Sequence, residues 1–142
     1  MSAHDRMTAA LGIDRPTAPQ ALPVLTLAYI GDTVYDLYAR TKLLHERDAD
    51  VHALHQEAAK LVCARGQAAA YFRIAPDLTP EEVAVFKRGR NAHSGTVPKN
   101  AGVTEYRIAT GLEALLGHLY LSGADERLDQ LMGKALEVRS EE

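Results

Sequence analysis

Two acidic side chains lie in helical segments whose other residues are mainly apolar. Asp32 belongs to the segment Leu27–Asp36, and Glu113 belongs to the segment Ala109–Gly117. An isolated buried carboxylate costs several kcal/mol, roughly, unless a cation, a hydrogen bond or a proton compensates it. Because Gly31 and other small neighbours let two helices approach closely, one ion could compensate both acids. One carboxylate from each of two helices suits Mg²⁺, which binds few carboxylates and keeps several waters.

Purely structural roles for these acids are open alternatives. Asp32 could be a buried acid paired with an arginine such as Arg107, and Glu113 could belong to a structural ion pair. Asp36 lies one helical turn after Asp32 and can therefore face the same way. For Asp36, a solvated position or an indirect role behind the metal ligands is the more ordinary interpretation.

A cationic segment lies between the two acids in the chain. From Val83 through Thr104 there is no acidic residue, although the whole chain has a formal net charge of −3. A local basic patch on an acidic protein can hold phosphates, and arginine side chains fit phosphate oxygens with two parallel hydrogen bonds. A solvated polar turn is the alternative. The residues predicted to contact a polyanion are Lys87, Arg88, Arg90, Asn91, His93, Ser94 and Lys99.

Length and composition indicate an ordinary globular protein. The 142 residues suffice for one domain with a hydrophobic core, and 46% of them are hydrophobic and 25% charged. No apolar run reaches the roughly 20 residues that span a membrane. Cys63 is the one cysteine, so no internal disulfide can form and we expect the reducing cytoplasm. The chain lacks a phosphate-binding glycine motif and a CxxC pair, which leaves metal-dependent phosphodiester hydrolysis open.

Helical periodicity predicts an all-α fold in one domain. Residues 1–20 contain prolines and little periodicity, so we expect a loose N-terminal leader before a domain that spans residues 21–139. The first long helix is apolar on nearly every side, which predicts burial at the centre of the domain or in an interface. Thr79, Pro80 and Glu82 form a strong signal for the start of a helix. The predicted helices span residues 22–44, 51–72 with a kink near Gly66, 79–89, 104–121 and 125–138.

Several short motifs, in order along the chain, resemble the Mini-ribonuclease III branch of the ribonuclease III family. This short branch lacks the double-stranded-RNA-binding domain of the larger members. The resemblance covers about residues 20–135 and depends on the motifs together, since none of them is specific alone. The motifs are Tyr29–Tyr35, Arg88–Ser94, Pro98–Asn100, Tyr106–Arg107 and Glu113–Gly117.

The resemblance implies the all-α ribonuclease III catalytic fold and a homodimer whose groove binds double-stranded RNA, with each subunit cutting one strand. Asp32 and Glu113 match the catalytic acids of the family, which bind Mg²⁺, for which Mn²⁺ can substitute. The implied products carry 5′-phosphate and 3′-hydroxyl ends. The implied substrate is the precursor of large-subunit (23S) ribosomal RNA, with a ribosomal protein as a helper.

The chain departs from the larger ribonucleases III at three positions. Those enzymes have acids one and two turns before the signature aspartate, where this chain has Leu25 and Ala28, and an aspartate three residues before the glutamate, where it has Thr110. The number of metal ions and the remaining ligands therefore stay open. A catalytically silent RNA-binding dimer and a plain helical interaction module are the two rival interpretations.

Overall fold

The computed structural model describes residues 1–46, 48–92 and 102–137, and every regular element in these ranges is helical, which confirms the predicted all-α fold. No helix within them is long and apolar enough to cross a membrane. Two short 3₁₀ helices, Pro19–Ala21 and Ala75–Asp77, connect longer elements. The α-helices are α1 (Ala3–Ala10), α2 (Val24–Glu46), α3 (Val51–Val62), α4 (Ala64–Ile74), α5 (Pro80–Asn91), α6 (Val103–Leu121) and α7 (Asp125–Ala135).

The central helix of the fold is α6, which contacts α2, α4, α5 and α7. Its residues Leu112, Leu115 and Leu116 are fully buried in the main core. The expectation that the first long helix lies buried at the centre is wrong, because α2 buries only one face. Its side chains Tyr29 and Leu37 are 77% and 63% exposed. The alternative, that this apolar surface belongs to an interface, stays a prediction.

Helix α5 starts where the sequence predicts, with Thr79 as its N-cap. The Thr79 hydroxyl accepts a hydrogen bond from the Glu82 N–H (3.2 Å), and the Glu82 carboxylate accepts one from the Thr79 N–H (2.9 Å). This reciprocal pair satisfies two backbone donors that have no partner inside the helix. Glu82 also accepts hydrogen bonds from Arg127 at 2.8 and 2.7 Å, which fastens α5 to α7.

The predicted helix over residues 51–72 is two helices, which meet at Cys63. The break lies three residues before Gly66, where the sequence predicts a kink. A Cβ atom at Gly66 would lie 2.3 Å from the Lys60 carbonyl oxygen, so only glycine lets the first turn of α4 fold against the last turn of α3. The end of α3 is then satisfied by side chains, because Tyr35 donates to the Leu61 carbonyl (2.8 Å) and Gln67 to the Val62 carbonyl (3.2 Å).

Part of the expected loose leader is helical, which corrects the prediction for residues 1–20. A capping box between Ser2 and Asp5 starts α1, and the Ala3 N–H donates to the Asp125 carboxylate (2.8 Å) at the start of α7. No residue of α1 is buried. Helix α1 is instead held by its cap, by the contact with Asp125, and by Tyr120 of α6, whose ring packs edge-on against His4 and whose hydroxyl donates to Met7 Sδ at 2.9 Å.

Candidate active site

The backbones of α2 and α6 touch at two glycines. A Cβ atom at Gly31 would lie 1.7 Å from the Glu113 carbonyl oxygen, and one at Gly117 would lie 1.9 Å from the Leu27 carbonyl oxygen. No larger residue fits at either position, since real Cβ contacts are never this short. The prediction that glycines let the two acid-bearing helices approach closely is thus confirmed.

This approach brings the carboxyl groups of Asp32 and Glu113 into hydrogen-bonding contact. Glu113 is partly buried, whereas Asp32 is exposed, which corrects the expectation that both acids are buried. Burial, followed by the hydrogen bond and the negative charge of Asp32, raises the pKa of Glu113 from 4.5 to about 8. The raised pKa favours the protonated form of the Glu113 side chain in the metal-free protein.

The alternative of a structural ion pair finds no support in the described residues. Within residues 1–46, 48–92 and 102–137, no salt bridge joins Arg107 to either acid. The influences that act on the pKa of Glu113 are burial, Asp32 and Gln67, and none of these supplies a positive charge. A bound cation would compensate the negative charge that this carboxyl pair carries when both groups are ionised.

The donor set around this pair fits a hard divalent cation. Two carboxylates contribute oxygen atoms, and the side-chain amide of Gln67 lies against Glu113, with Nε2 donating to Glu113 Oε2 at 3.4 Å. Gln67 Oε1 is buried and accepts no hydrogen bond from the described residues. Oxygen ligands of this kind suit Mg²⁺. The described ranges hold no cluster of three or more histidine, cysteine, aspartate or glutamate residues, so the acids here number two.

Gln67 was missed by the sequence analysis, although it is only 2% exposed. It lies in the first turns of α4, in an alanine-rich segment that offers no motif. The available signal was a polar side chain on the face of α4 that also carries Ala70 and Ile74, both fully buried.

Asp36 forms its ion pair with Arg40 and takes no part in the contact between Asp32 and Glu113. Arg40 Nε donates to both oxygens of Asp36 at 2.9 Å, one turn further along α2. Both side chains are more than one-third exposed. Asp36 is thus a solvated acid in a surface ion pair, as the sequence predicted.

The cationic residues that the structure describes lie at the end of α5, which continues to Asn91, beyond the predicted end at residue 89. Helix α5 continues because Gly89 is buried against α6: a Cβ atom there would lie 2.8 Å from Ala114 Cβ and 2.9 Å from Gly111 Cα. This contact places the end of α5 beside the turn of α6 that carries Glu113.

Around Gly89, Lys87, Arg88 and Asn91 are exposed, and Arg90 is partly buried over the Phe86 ring at 5.8 Å. The positive charge of Arg88 helps to lower the pKa of His118, after burial as the main cause. Arg88 thus lies near α6 one turn beyond Ala114. The other three predicted contacts, His93, Ser94 and Lys99, lie outside the described residues and stay predictions.

Known proteins are similar to this chain in sequence and in fold. A family model described as the Ribonuclease III domain matches residues 25–124. The chain is 46% identical to the Mini-ribonuclease 3 of Thermoanaerobacter sp. (strain X514) over 121 residues, which cover 85% of each chain. It is 44% identical to the Mini-ribonuclease 3 of Symbiobacterium thermophilum over 117 residues, 82% of this chain and 90% of the other.

Among solved structures, protein FN1578 from Fusobacterium nucleatum has a similar fold. The TM-score is 0.71 at 29% sequence identity, over 80% of this chain and 90% of that one. The segment matched by the family model includes both acids of the carboxyl pair.

Proposed function

This chain belongs to the ribonuclease III family, in its Mini-ribonuclease III branch, and we propose that it is a metal-dependent endoribonuclease that cuts double-stranded RNA. The observation that carries the proposal is the contact between Asp32 and Glu113, two carboxyl groups from different helices, neither of which forms a salt bridge with a described lysine or arginine. A divalent cation would stabilise two carboxylates held together in this way.

We propose that Asp32 and Glu113 hold Mg²⁺ or Mn²⁺. The bound cation would activate a water molecule and stabilise the departing 3′ oxygen, which gives 5′-phosphate and 3′-hydroxyl ends. Asp32 is exposed and can be reached from solvent by a phosphate of the substrate. Glu113 must release its proton before it binds a cation, and its burial keeps the resulting charges in an environment that screens them weakly.

The end of α5 is the proposed RNA-binding surface. Lys87, Arg88, Arg90 and Asn91 lie on its last turns, beside the segment of α6 that carries Glu113. We propose that His93, Ser94 and Lys99, which lie outside the described residues, also contact the RNA. Phosphate contacts of this kind set affinity and position without reading base sequence, so binding should weaken steeply as salt rises.

We propose that the enzyme works as a homodimer through the exposed apolar face of α2. Tyr29 is 77% exposed and lies three residues before Asp32, so both residues share one face of the helix. Leu25, one turn before Tyr29, is also exposed, and a contiguous exposed apolar surface marks an interaction site. Pairing of two such faces would bring the two carboxyl pairs to one groove.

The physiological substrate proposed for this dimer is the double-stranded region at the ends of the 23S ribosomal RNA precursor. The proposed setting is the cytoplasm, with a ribosomal protein as a helper that presents the RNA. Similarity to the two Mini-ribonucleases 3 supports the class of reaction and leaves these finer assignments as proposals.

The test is cleavage of a labelled RNA duplex in Mg²⁺ or in EDTA, with the variants Asp32→Asn and Asp36→Asn. Wild type and Asp36→Asn should cut in Mg²⁺ only, because Asp36 pairs with Arg40 and not with Glu113. Asp32→Asn should bind the duplex and leave it intact. Duplex binding without cleavage by the wild type would instead establish the silent RNA-binding dimer. Absence of both would establish an interaction module.

A further inference from the structure

The side-chain amide of Gln67 is a buried polar group that the proposed reaction does not yet use. Gln67 is 2% exposed, and its Oε1 is the one buried side-chain nitrogen or oxygen atom in the described part of the chain that lacks a hydrogen-bond partner. An unpaired buried acceptor is destabilising, and an apolar side chain of the same size would avoid the penalty. This costly buried amide contacts Glu113 through its Nε2 atom, so it adjoins one of the two proposed metal ligands.

The orientation of the amide is fixed by its donors. Nε2 donates to the Val62 carbonyl oxygen at 3.2 Å and to Glu113 Oε2 at 3.4 Å. If the amide were turned over, Oε1 would face the Val62 carbonyl, and two acceptors would meet. The unpaired atom is thus the oxygen, which can accept a hydrogen bond.

The backbone around Gln67 is equally constrained. The Gln67 N–H donates to the Cys63 carbonyl at 2.9 Å, in the junction between α3 and α4. At the preceding residue, Gly66, a Cβ atom would lie 2.6 Å from the Leu61 carbonyl oxygen, so the turn is held tightly against the end of α3. Gln67 therefore connects a rigid helix junction to one of the two proposed metal ligands.

We infer that Gln67 is a positioning residue for divalent-cation binding, an inference that rests on the proposed function. Its Nε2 donates to Glu113 Oε2 and so holds the Glu113 carboxylate in place for the cation. Side chains that hydrogen-bond to a metal-ligating carboxylate orient it, and their loss weakens metal binding. The two acids alone supply the charge, and Gln67 supplies the orientation.

Tyr35 provides a matched control for a merely structural role. Its hydroxyl donates to the Leu61 carbonyl at 2.8 Å, one residue before the carbonyl that Gln67 holds. Like Gln67, Tyr35 is fully buried. Loss of either side-chain donor leaves one carbonyl at the end of α3 without its partner. Only the loss of Gln67 also removes the hydrogen bond to Glu113.

The experiment is a titration of metal-free protein with Mn²⁺, followed by the electron paramagnetic resonance signal of free Mn²⁺, without RNA. Gln67→Leu should raise the Kd for Mn²⁺ about tenfold or more, as is usual when a partner behind a metal ligand is removed. Tyr35→Phe should leave it within about twofold of wild type. If Gln67→Leu does not fold, Gln67→Met serves as the second variant of similar volume.

The inference about Gln67 would be overturned if wild type and Gln67→Leu had the same Kd for Mn²⁺. It would also be overturned if Tyr35→Phe raised this Kd as much as Gln67→Leu does. If the wild type also cuts duplex RNA, that result leaves the proposed function standing. A wild type that binds no Mn²⁺ would overturn both. Two further measurements are independent of the Kd for Mn²⁺. The affinity for duplex RNA in EDTA should be the same for Gln67→Leu and wild type. A raised Mg²⁺ concentration should restore RNA cleavage by Gln67→Leu. Weak duplex binding in EDTA would contradict a role confined to the cation.

Discussion

Replacement of Glu113 by glutamine should change how the stability of the metal-free protein depends on pH. The pKa of Glu113 is 4.5 in the unfolded chain and about 8 in the folded protein. Below pH 4.5 both states are protonated, and the stabilisation is fully present. As the pH rises towards 8, the unfolded state loses its proton and the folded state keeps it, so the free energy of unfolding falls.

The size of this effect follows from the pKa difference. At about 1.4 kcal/mol per tenfold change in proton affinity, a rise from 4.5 to about 8 corresponds to a loss on the order of 5 kcal/mol between these pH values. Glu113→Gln cannot release a proton and should escape this loss. Its advantage over wild type should be absent near pH 4, grow through the neutral range and reach its maximum above pH 8.

The assay is urea unfolding in EDTA at equal protein concentrations from pH 4 to 9, for wild type and Glu113→Gln. Glu82→Gln is an informative control because its hydrogen bonds with Arg127 lower the pKa of Glu82. The stabilisation from Glu82 is present above pH 4.5 and lost as the pH falls below it, so this variant should be destabilised at neutral pH and least affected in acid. Parallel pH profiles for wild type and Glu113→Gln would refute the raised pKa of Glu113.

Three further predictions follow from the packing and the surface. Gly31→Ala should destabilise the protein in urea unfolding by about 3 kcal/mol or more, because the new Cβ would collide with the Glu113 carbonyl. Gly133→Ala is the control: its new Cβ meets nothing within 4 Å, so it should stabilise the protein by about 0.5–1 kcal/mol. Similar stability for the two variants would contradict the close approach of α2 and α6. Arg88→Ala should reduce the slope of log affinity against log salt for duplex RNA by about 1, measured by fluorescence anisotropy, and an unchanged slope would exclude a phosphate contact there. Tyr29→Arg should sediment as a monomer at concentrations where wild type sediments as a dimer, and a dimeric variant would move the interface elsewhere.

The acidic residues and the glycines made the candidate site predictable from sequence. A carboxylate in an apolar helix has a recognisable energetic cost, and Gly31 next to Asp32 signals a close approach of backbones. The capping box at Thr79 was equally predictable from the sequence because it depends on local hydrogen bonds. Each of these features is a short-range consequence of residue type and spacing.

Features that depend on distant contacts were not predictable in this way. Exposure of Asp32 is decided by which face of α2 packs on α6, and a helix that is apolar on most sides does not reveal that face. The Gln67 side chain donates to one carbonyl of α3 and to a carboxylate of α6, 46 residues away in the chain. Helix α1 has no buried residue, so no hydrophobic pattern in the sequence predicts it.

Anomalous diffraction from crystals of the protein grown with Mn²⁺ tests the central claim most directly. We predict an anomalous peak about 2 Å from carboxylate oxygens of both Asp32 and Glu113, with Gln67 still bonded to Glu113. The peak should be absent from crystals of Asp32→Asn. A wild-type map with no peak between these two carboxyl groups at saturating Mn²⁺, or with the peak on other residues, would contradict the assignment of this pair as the metal site.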